Sequence, residues 1–237
     1  MVVDGSMLSA GIDGQISWID PATGGRKGTP IQPPLVAGRA VEWSDFARHE
    51  GIAVIADRSG RLCAIEIDPK STSLKQQAMV DLPRRIAASP AVVGRTVYCI
   101  DDANLVLSYS LPQLTPGADW QLSSAPLWDP VQAGNAVYVA AVTDGGTELS
   151  AFSGDGKQLW RRIVAGDAPD GCHPPTADGD RLYVATTAGE IVVIDPSSGE
   201  ISKRISCESP ITGSPIIIGR RLAVPSLAGE LLWLDIP

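Results

Sequence analysis

Basic charge is scarce in this 237-residue chain: 19 Lys and Arg stand against 27 Asp and Glu, a formal net charge of −8 at pH 7. A surface built to grip phosphate backbones needs clustered Lys and Arg, so the balance argues against a nucleic-acid partner. Long apolar runs are missing too. Stretches such as Ile216-Ile217-Ile218 fall far below the roughly 18 residues that cross a bilayer, and no transmembrane segment is expected. The amino end, Met1-Val2-Val3-Asp4-Gly5, has neither a basic nor an apolar signal region, so no secretion signal is expected within these residues. The four cysteines, Cys63, Cys99, Cys172 and Cys207, form no CxxC pair, which removes zinc-ribbon and thioredoxin-type readings. They can supply one structural disulfide, but four small buried thiols in or beside strands is the reading preferred here. No stretch sustains a 3.6-residue apolar period with caps, so helices are expected to be nearly absent.

What the chain does have is punctuation. It carries 24 Gly and 19 Pro, with 44% hydrophobic and only 19% charged residues, the balance of a folded chain that turns often. A glycine ahead of a short apolar segment recurs at Gly5, Gly51, Gly94, Gly134, Gly179 and Gly219, at intervals of 46, 43, 40, 45 and 40 residues. The segments that follow include Ile52-Ala53-Val54-Ile55-Ala56, Thr96-Val97-Tyr98-Cys99-Ile100 and Arg181-Leu182-Tyr183-Val184-Ala185, the composition of strands packed on both faces. A second signature trails each one: Ile16-x-x-Ile19-Asp20, Leu62-x-x-Ile65-Glu66, Val106-x-x-Tyr109-Ser110, Leu149-x-x-Phe152-Ser153, Ile191-x-x-Ile194-Asp195 and Leu231-x-x-Leu234-Asp235. Between the two lie Asp13-Gly14, Ser59-Gly60, Asn104, Gly145-Gly146, Gly189 and Gly229, residues that tolerate the positive φ of a tight hairpin.

Two more strands complete each unit. Proline-bearing segments precede the marker glycine, as in Ser89-Pro90-Ala91, Ala125-Pro126-Leu127-Trp128, Pro174-Pro175-Thr176 and Ser214-Pro215-Ile216, and proline is expected at the first residue of a strand, where it costs no ladder bond. An outer strand such as Lys157-Gln158-Leu159-Trp160-Arg161 follows the hairpin. Four short antiparallel strands per roughly 40–45 residues is the sequence form of a propeller blade. The expected fold is therefore an all-β propeller of about six four-stranded blades, read as a single domain over residues 1–237. Its repeats run over 1–40, 41–85, 86–122, 123–168, 169–208 and 209–237.

The run Leu182-Tyr183-Val184-Ala185-Thr186, followed by Gly189-Glu190-Ile191-Val192-Val193-Ile194-Asp195-Pro196-Ser197-Ser198-Gly199, resembles the pyrroloquinoline-quinone (PQQ)-type β-propeller repeat. Gly11 to Gly24 is a second close match and Gly229 to Asp235 a shorter third. Repeats two to four depart from the pattern, with Glu66, Ser110 and Ser153 where the family usually has Asp. The resemblance spans nearly the whole chain and implies the fold; the family includes quinoprotein dehydrogenases, outer-membrane assembly scaffolds and binding propellers, and its members are often extracytoplasmic. The last unit stops after its third strand, so either the final blade is three-stranded or the chain is the carboxyl part of a longer protein. The second reading is preferred, because an unpaired edge invites aggregation.

A PQQ site with Ca²⁺ needs several oxygen ligands, yet the only asparagines, Asn104 and Asn135, sit at turns. The candidate acids Asp13, Asp20, Asp195 and Asp235 fall at repeat positions, where bonds to the adjoining turn explain them. No cofactor is therefore expected. Cys172 beside His173 resembles a nucleophile and base only on paper, since neighbours in extended chain point to opposite faces; a loop leading into an inner strand is the better reading. His49 lies in a polar stretch, and Gly24 to Thr29 lacks phosphate-loop spacing and reads as an inter-strand loop. Trp18 and Trp233 occupy matching positions and are expected to be core wedges. Trp43 and Trp128 lie near inner-strand segments; they either plug gaps between blades or, with His173, offer a partner surface at a channel mouth. No catalytic or metal residues are assigned. The reading is a non-enzymatic interaction or scaffold module for a protein or peptide, with a PQQ-dependent oxidoreductase fragment and a carbohydrate-binding or sensor propeller as rivals.

Overall fold

A strand with apolar side chains on both sides makes a sheet that must be covered twice, and the repeat supplies the covers. The computed structural model describes residues 1–34, 41–166 and 171–236. It contains no helix among the described residues, and its strands form six antiparallel sheets, each a simple meander in chain order. Sheet one holds β1 (Val2–Val3), β2 (Ser6–Ala10), β3 (Ile16–Ile19) and β4 (Arg26–Ile31). Sheet two holds β5 (Ala47–His49), β6 (Ile52–Asp57), β7 (Arg61–Asp68) and β8 (Ser73–Asp81). Sheet three holds β9 (Ile86–Val93), β10 (Thr96–Asp101), β11 (Leu105–Ser110) and β12 (Thr115–Gln121). In sheet four come β13 (Val131–Ala133), β14 (Ala136–Thr143), β15 (Gly146–Ser153) and β16 (Gln158–Ala165). Sheet five follows with β17 (Thr176–Ala177), β18 (Leu182–Ala185), β19 (Glu190–Ile194) and β20 (Ile201–Ser206). Sheet six has three strands, β21 (Ile216–Ile218), β22 (Arg221–Pro225) and β23 (Leu231–Asp235). The chain thus has the expected all-β propeller class, with a three-stranded last blade. It divides into two compact units, Met1–Trp120 and Gln121–Pro237, and the division falls at the end of β12, two residues before the expected boundary between repeats three and four.

Within each unit the sheets stack by one rule. Where two consecutive sheets lie in one unit, the earlier turns its forward face to the later, which meets it with its back face. Leu8, Ile16 and Trp18 of sheet one meet Ala53, Ile55, Cys63 and Ile65 of sheet two. The alternate residues of sheet two, Val54, Ala56, Leu62 and Ala64, meet Val97, Cys99 and Tyr109 of sheet three. In the second unit Tyr138, Ala140, Leu149 and Ala151 lie on Leu182, Val184, Val192 and Ile194. Tyr183, Ala185, Ile191 and Val193 then lie on Leu222, Val224, Leu232 and Leu234. Period-two alternation sends successive side chains to opposite faces, and full burial of each large aliphatic contributes about 1.5–3 kcal/mol.

Four expectations need correction. Pro90 lies inside β9 rather than at its start, where the pairing with β10 shifts register between Tyr98 and Ile100; the irregularity spares the ladder bond that proline lacks. Pro126, Pro175 and Pro215 stand ahead of their strands. Arg26 to Thr29 belongs to outer strand β4, not to a loop. In repeat two the strand runs past Glu66 to Asp68, and Asp68 takes over the turn, accepting from Lys70 N at 2.9 Å and from Ser71 Oγ at 2.6 Å. Trp18 is a core wedge, fully buried, with Nε1 donating to the Ser73 carbonyl at 3.3 Å. Trp233, its repeat counterpart, is 49% exposed, because no described residue covers its face of sheet six.

The long turn between β19 and β20 shows how an outer connection is pinned. Gly199 has φ +70°, and a Cβ there would come within 2.5 Å of the Trp160 ring. Trp160, from β16 of the preceding sheet, also donates Nε1 to the Pro196 carbonyl at 2.9 Å. Gly199→Ala must therefore bend the backbone and displace the indole. We expect a loss of about 1–3 kcal/mol in denaturant unfolding, with the slope unchanged.

Candidate interaction site

The site begins with a break in the innermost strands. In four sheets a single bridged residue precedes the strand proper: Trp43 with Asp57, Pro126 with Ala141, Cys172 with Thr186, and Ile211 with Ser226. These lead-in segments run beside the turn that joins the second and third strands. That turn has a buried polar anchor three residues before its left-handed position. Asp101 Oδ1 accepts from the amides of Ala103 and Leu105, both at 2.9 Å. Asp57 Oδ1 accepts from Ser59 N at 3.2 Å and from Glu42 N, in the lead-in, at 3.3 Å. Thr186 Oγ1 accepts from Glu190 N at 3.1 Å, and Ser226 Oγ from Glu230 N at 3.3 Å. All four side chains are buried, and their oxygens satisfy turn amides that would otherwise be left without partners. The spacing Asp57-x-x-Gly60, Asp101-x-x-Asn104, Thr186-x-x-Gly189 and Ser226-x-x-Gly229 is a legible signal for this role that the turn glycines alone do not give.

Across the second unit the lead-ins are stitched sheet to sheet. Trp128 Nε1 of sheet four donates to the Cys172 carbonyl of sheet five at 3.1 Å. His173 Nε2 lies 3.1 Å from the Ile211 carbonyl of sheet six; a carbonyl only accepts, so Nε2 carries the proton. Trp128 and His173 are both half-buried, and Trp128 packs on the core shared by sheets four and five. Beside these held side chains, Leu127 and Leu227 are exposed, at 41% and 69%. Leu227 is fixed through its amide, which donates to the Pro210 carbonyl at 2.8 Å. Neither leucine was singled out from sequence, since surface exposure in a loop leaves no periodic trace.

Trp43 belongs to the first unit. It is half-buried, packs on the core of sheets one and two, and its buried Nε1 has no partner among the described residues. Within the second unit the structure joins Trp128 and His173 through neighbouring backbone.

The remaining candidates resolve into local roles. Asp13, Asp20 and Asp195 accept from the amides of Gln15, Ala22 and Ser197 at 3.1, 2.9 and 2.8 Å. These turn bonds, led by Ala22 N for Asp20 and the Ser197 hydroxyl for Asp195, hold both carboxyls below the ordinary range. Asp235 departs from the expectation: it pairs with Arg221 at 3.0 Å instead of capping a turn. His49 ends β5, with Nε2 3.8 Å from Glu50. Among the described residues no three His, Cys, Asp or Glu gather as a metal site. Cys172 is buried, and burial pushes its thiol up to about 12, while the His173 ring nitrogen is engaged with Ile211; the two do not form a nucleophile and base. Cys63 and Cys99 are likewise buried and pushed up to about 12, chiefly by desolvation, whereas Cys207 is only half-buried and is raised by burial alone. All four are unbridged.

Comparison with known proteins now has geometry to act on. Residues 145–236 match the family model described as outer membrane protein assembly factor BamB, and the PQQ-like propeller repeat is present in that stretch. Two solved structures give the particulars. The computationally designed Ika8 protein aligns over 100% of this chain and 70% of its own, with TM-score 0.71 and 14% identity. BamB from Moraxella catarrhalis aligns over 98% and 94%, with TM-score 0.43 and 14% identity. No curated protein matches the chain. At such identities the Ika8 likeness shows the fold alone.

The thiols provide a direct check on the placement of the lead-ins. In native protein at pH 8 we expect a disulfide reagent to modify Cys207 first, with Cys63, Cys99 and Cys172 reacting only after denaturation. Rapid native labelling of Cys172, read by peptide mapping, would contradict the buried setting described above.

Proposed function

We propose that the chain is a non-enzymatic propeller module that binds a protein or peptide at the lead-in end of its sheets. The supporting observation is that the half-buried rings of Trp128 and His173 are each held by a hydrogen bond to the lead-in of the next sheet, while Leu127, next to Trp128 in sequence, and Leu227, bonded through its amide to the lead-in of sheet six, are exposed. Rigid aromatic anchors beside exposed apolar side chains are the composition of a binding centre. The family description names an assembly factor of the outer membrane, which favours a protein partner and an extracytoplasmic place of work. Trp43 offers the same type of surface on the first unit. The module works without PQQ or Ca²⁺ in this reading, since Asp13, Asp20 and Asp195 serve turns and Asp235 pairs with Arg221.

A displayed peptide library selected on the wild-type chain tests the assignment. Recovered peptides should bind the Leu127→Asp/Leu227→Asp double variant at least about tenfold more weakly, while both proteins keep the same unfolding midpoint. Titration with PQQ and Ca²⁺ should give no saturable change in absorbance or thermal stability. A stoichiometric, saturable effect would replace this reading with the quinoprotein one.

A further inference from the structure

Tyr138 and Tyr183 stand at the same place in the repeat, each on the fourth residue after its marker glycine, Gly134 or Gly179, and each faces the next sheet of its unit. Tyr183 has an acceptor of its own: its hydroxyl donates to Asp178 Oδ2 at 2.8 Å. Asp178 is the residue just before the marker glycine, and in repeat four that position is Ala133. The Tyr138 hydroxyl accordingly has no hydrogen-bond partner among the described residues, although the residue is only 1% exposed. A buried phenol usually finds a partner, because leaving the bond unmade costs free energy.

The oxygen is unbonded yet not sealed off, and what it meets is a cleft between sheets four and five, which pack on each other inside the second unit. Tyr138 lines this cleft together with Ala136, Leu159, Ala177, Pro196 and the exposed Asn135. Its volume is about 310 Å³, at the small end of the range for ligand pockets. No charged side chain lines it, so an ionised guest would lose hydration without gaining a counter-charge. Burial pushes the Tyr138 phenol up to about 12, which keeps the hydroxyl protonated and able to donate.

We propose that this cleft binds a small uncharged molecule whose apolar body lies against Ala136, Leu159, Ala177 and Pro196 and whose carbonyl or hydroxyl oxygen accepts from Tyr138. The guest supplies to Tyr138 the acceptor that Asp178 supplies to Tyr183. The cleft lies at the marker-glycine end of sheets four and five, whereas the lead-ins lie beside the turns at the other end. The site therefore does not rest on the partner-binding reading.

Benzamide, one ring with a neutral acceptor, is the probe, titrated against the full chain with isotope-labelled methyl groups and followed by NMR. We expect saturable shifts of the Ala136, Leu159 and Ala177 methyls with a Kd of about 1 mM or tighter, and binding of benzoate at least about tenfold weaker. Tyr138→Phe removes no hydrogen bond described above; it should keep the wild-type unfolding midpoint and weaken benzamide at least about fivefold. Ala133→Asp should give Tyr138 an internal acceptor, as in repeat five, and weaken benzamide likewise. Should Tyr138→Phe fail to fold by circular dichroism, Ala133→Asp carries the test. The proposal is overturned by a wild-type chain without saturable shifts at these methyls, or by benzoate binding as tightly as benzamide. Undiminished benzamide binding in either folded variant overturns it as well.

Discussion

Forward-on-back packing of two-faced sheets is the constraint from which the rest of this structure follows. A meander of three or four short strands cannot bury both its faces by folding on itself, and almost every large aliphatic of the inner strands sits on one of those faces. Stability is then a sum over neighbours rather than a property of any one sheet. The same requirement explains the composition. Small residues such as Ala53, Ala56, Ala64 and Ala185 let neighbouring sheets approach, while Trp18, Tyr138 and Tyr183 fill what remains.

Polar groups inside such a stack have to be accounted for at the strand ends. Asp57, Asp101, Thr186 and Ser226 are buried where the second strand enters its turn, and their oxygens take up turn amides. At Asp101 one buried carboxylate oxygen takes up two backbone donors of its own turn. The chemistry of these acids is thus spent on geometry. Rigid turns, in turn, give the lead-in segments a firm margin, and those segments carry Trp128, His173 and the exposed Leu127.

Much of this is legible in the chain itself. Six glycine-marked hairpins with one spacing define the strands, since turn chemistry and period-two alternation act over a few residues and need no distant partner. The turn roles of Asp20 and Asp195 were equally local. The linkage of Trp128 to Cys172, and of His173 to Ile211, was not. Those bonds join residues 44 and 38 positions apart in different sheets, and no short motif encodes them. Nor was the place of Pro90 inside β9, which depends on a shift of register that the partner strand permits.

The sequence alone determined the repeat, the strand order and which residues alternate from face to face, because each of these follows from local backbone and side-chain preferences. Only the tertiary structure decided which faces are covered. Trp18 and Trp233 occupy the same position in the same pattern, yet one is sealed beneath sheet two and the other stands half in solvent. Burial belongs to the neighbouring sheet, and the neighbour is not written in the strand.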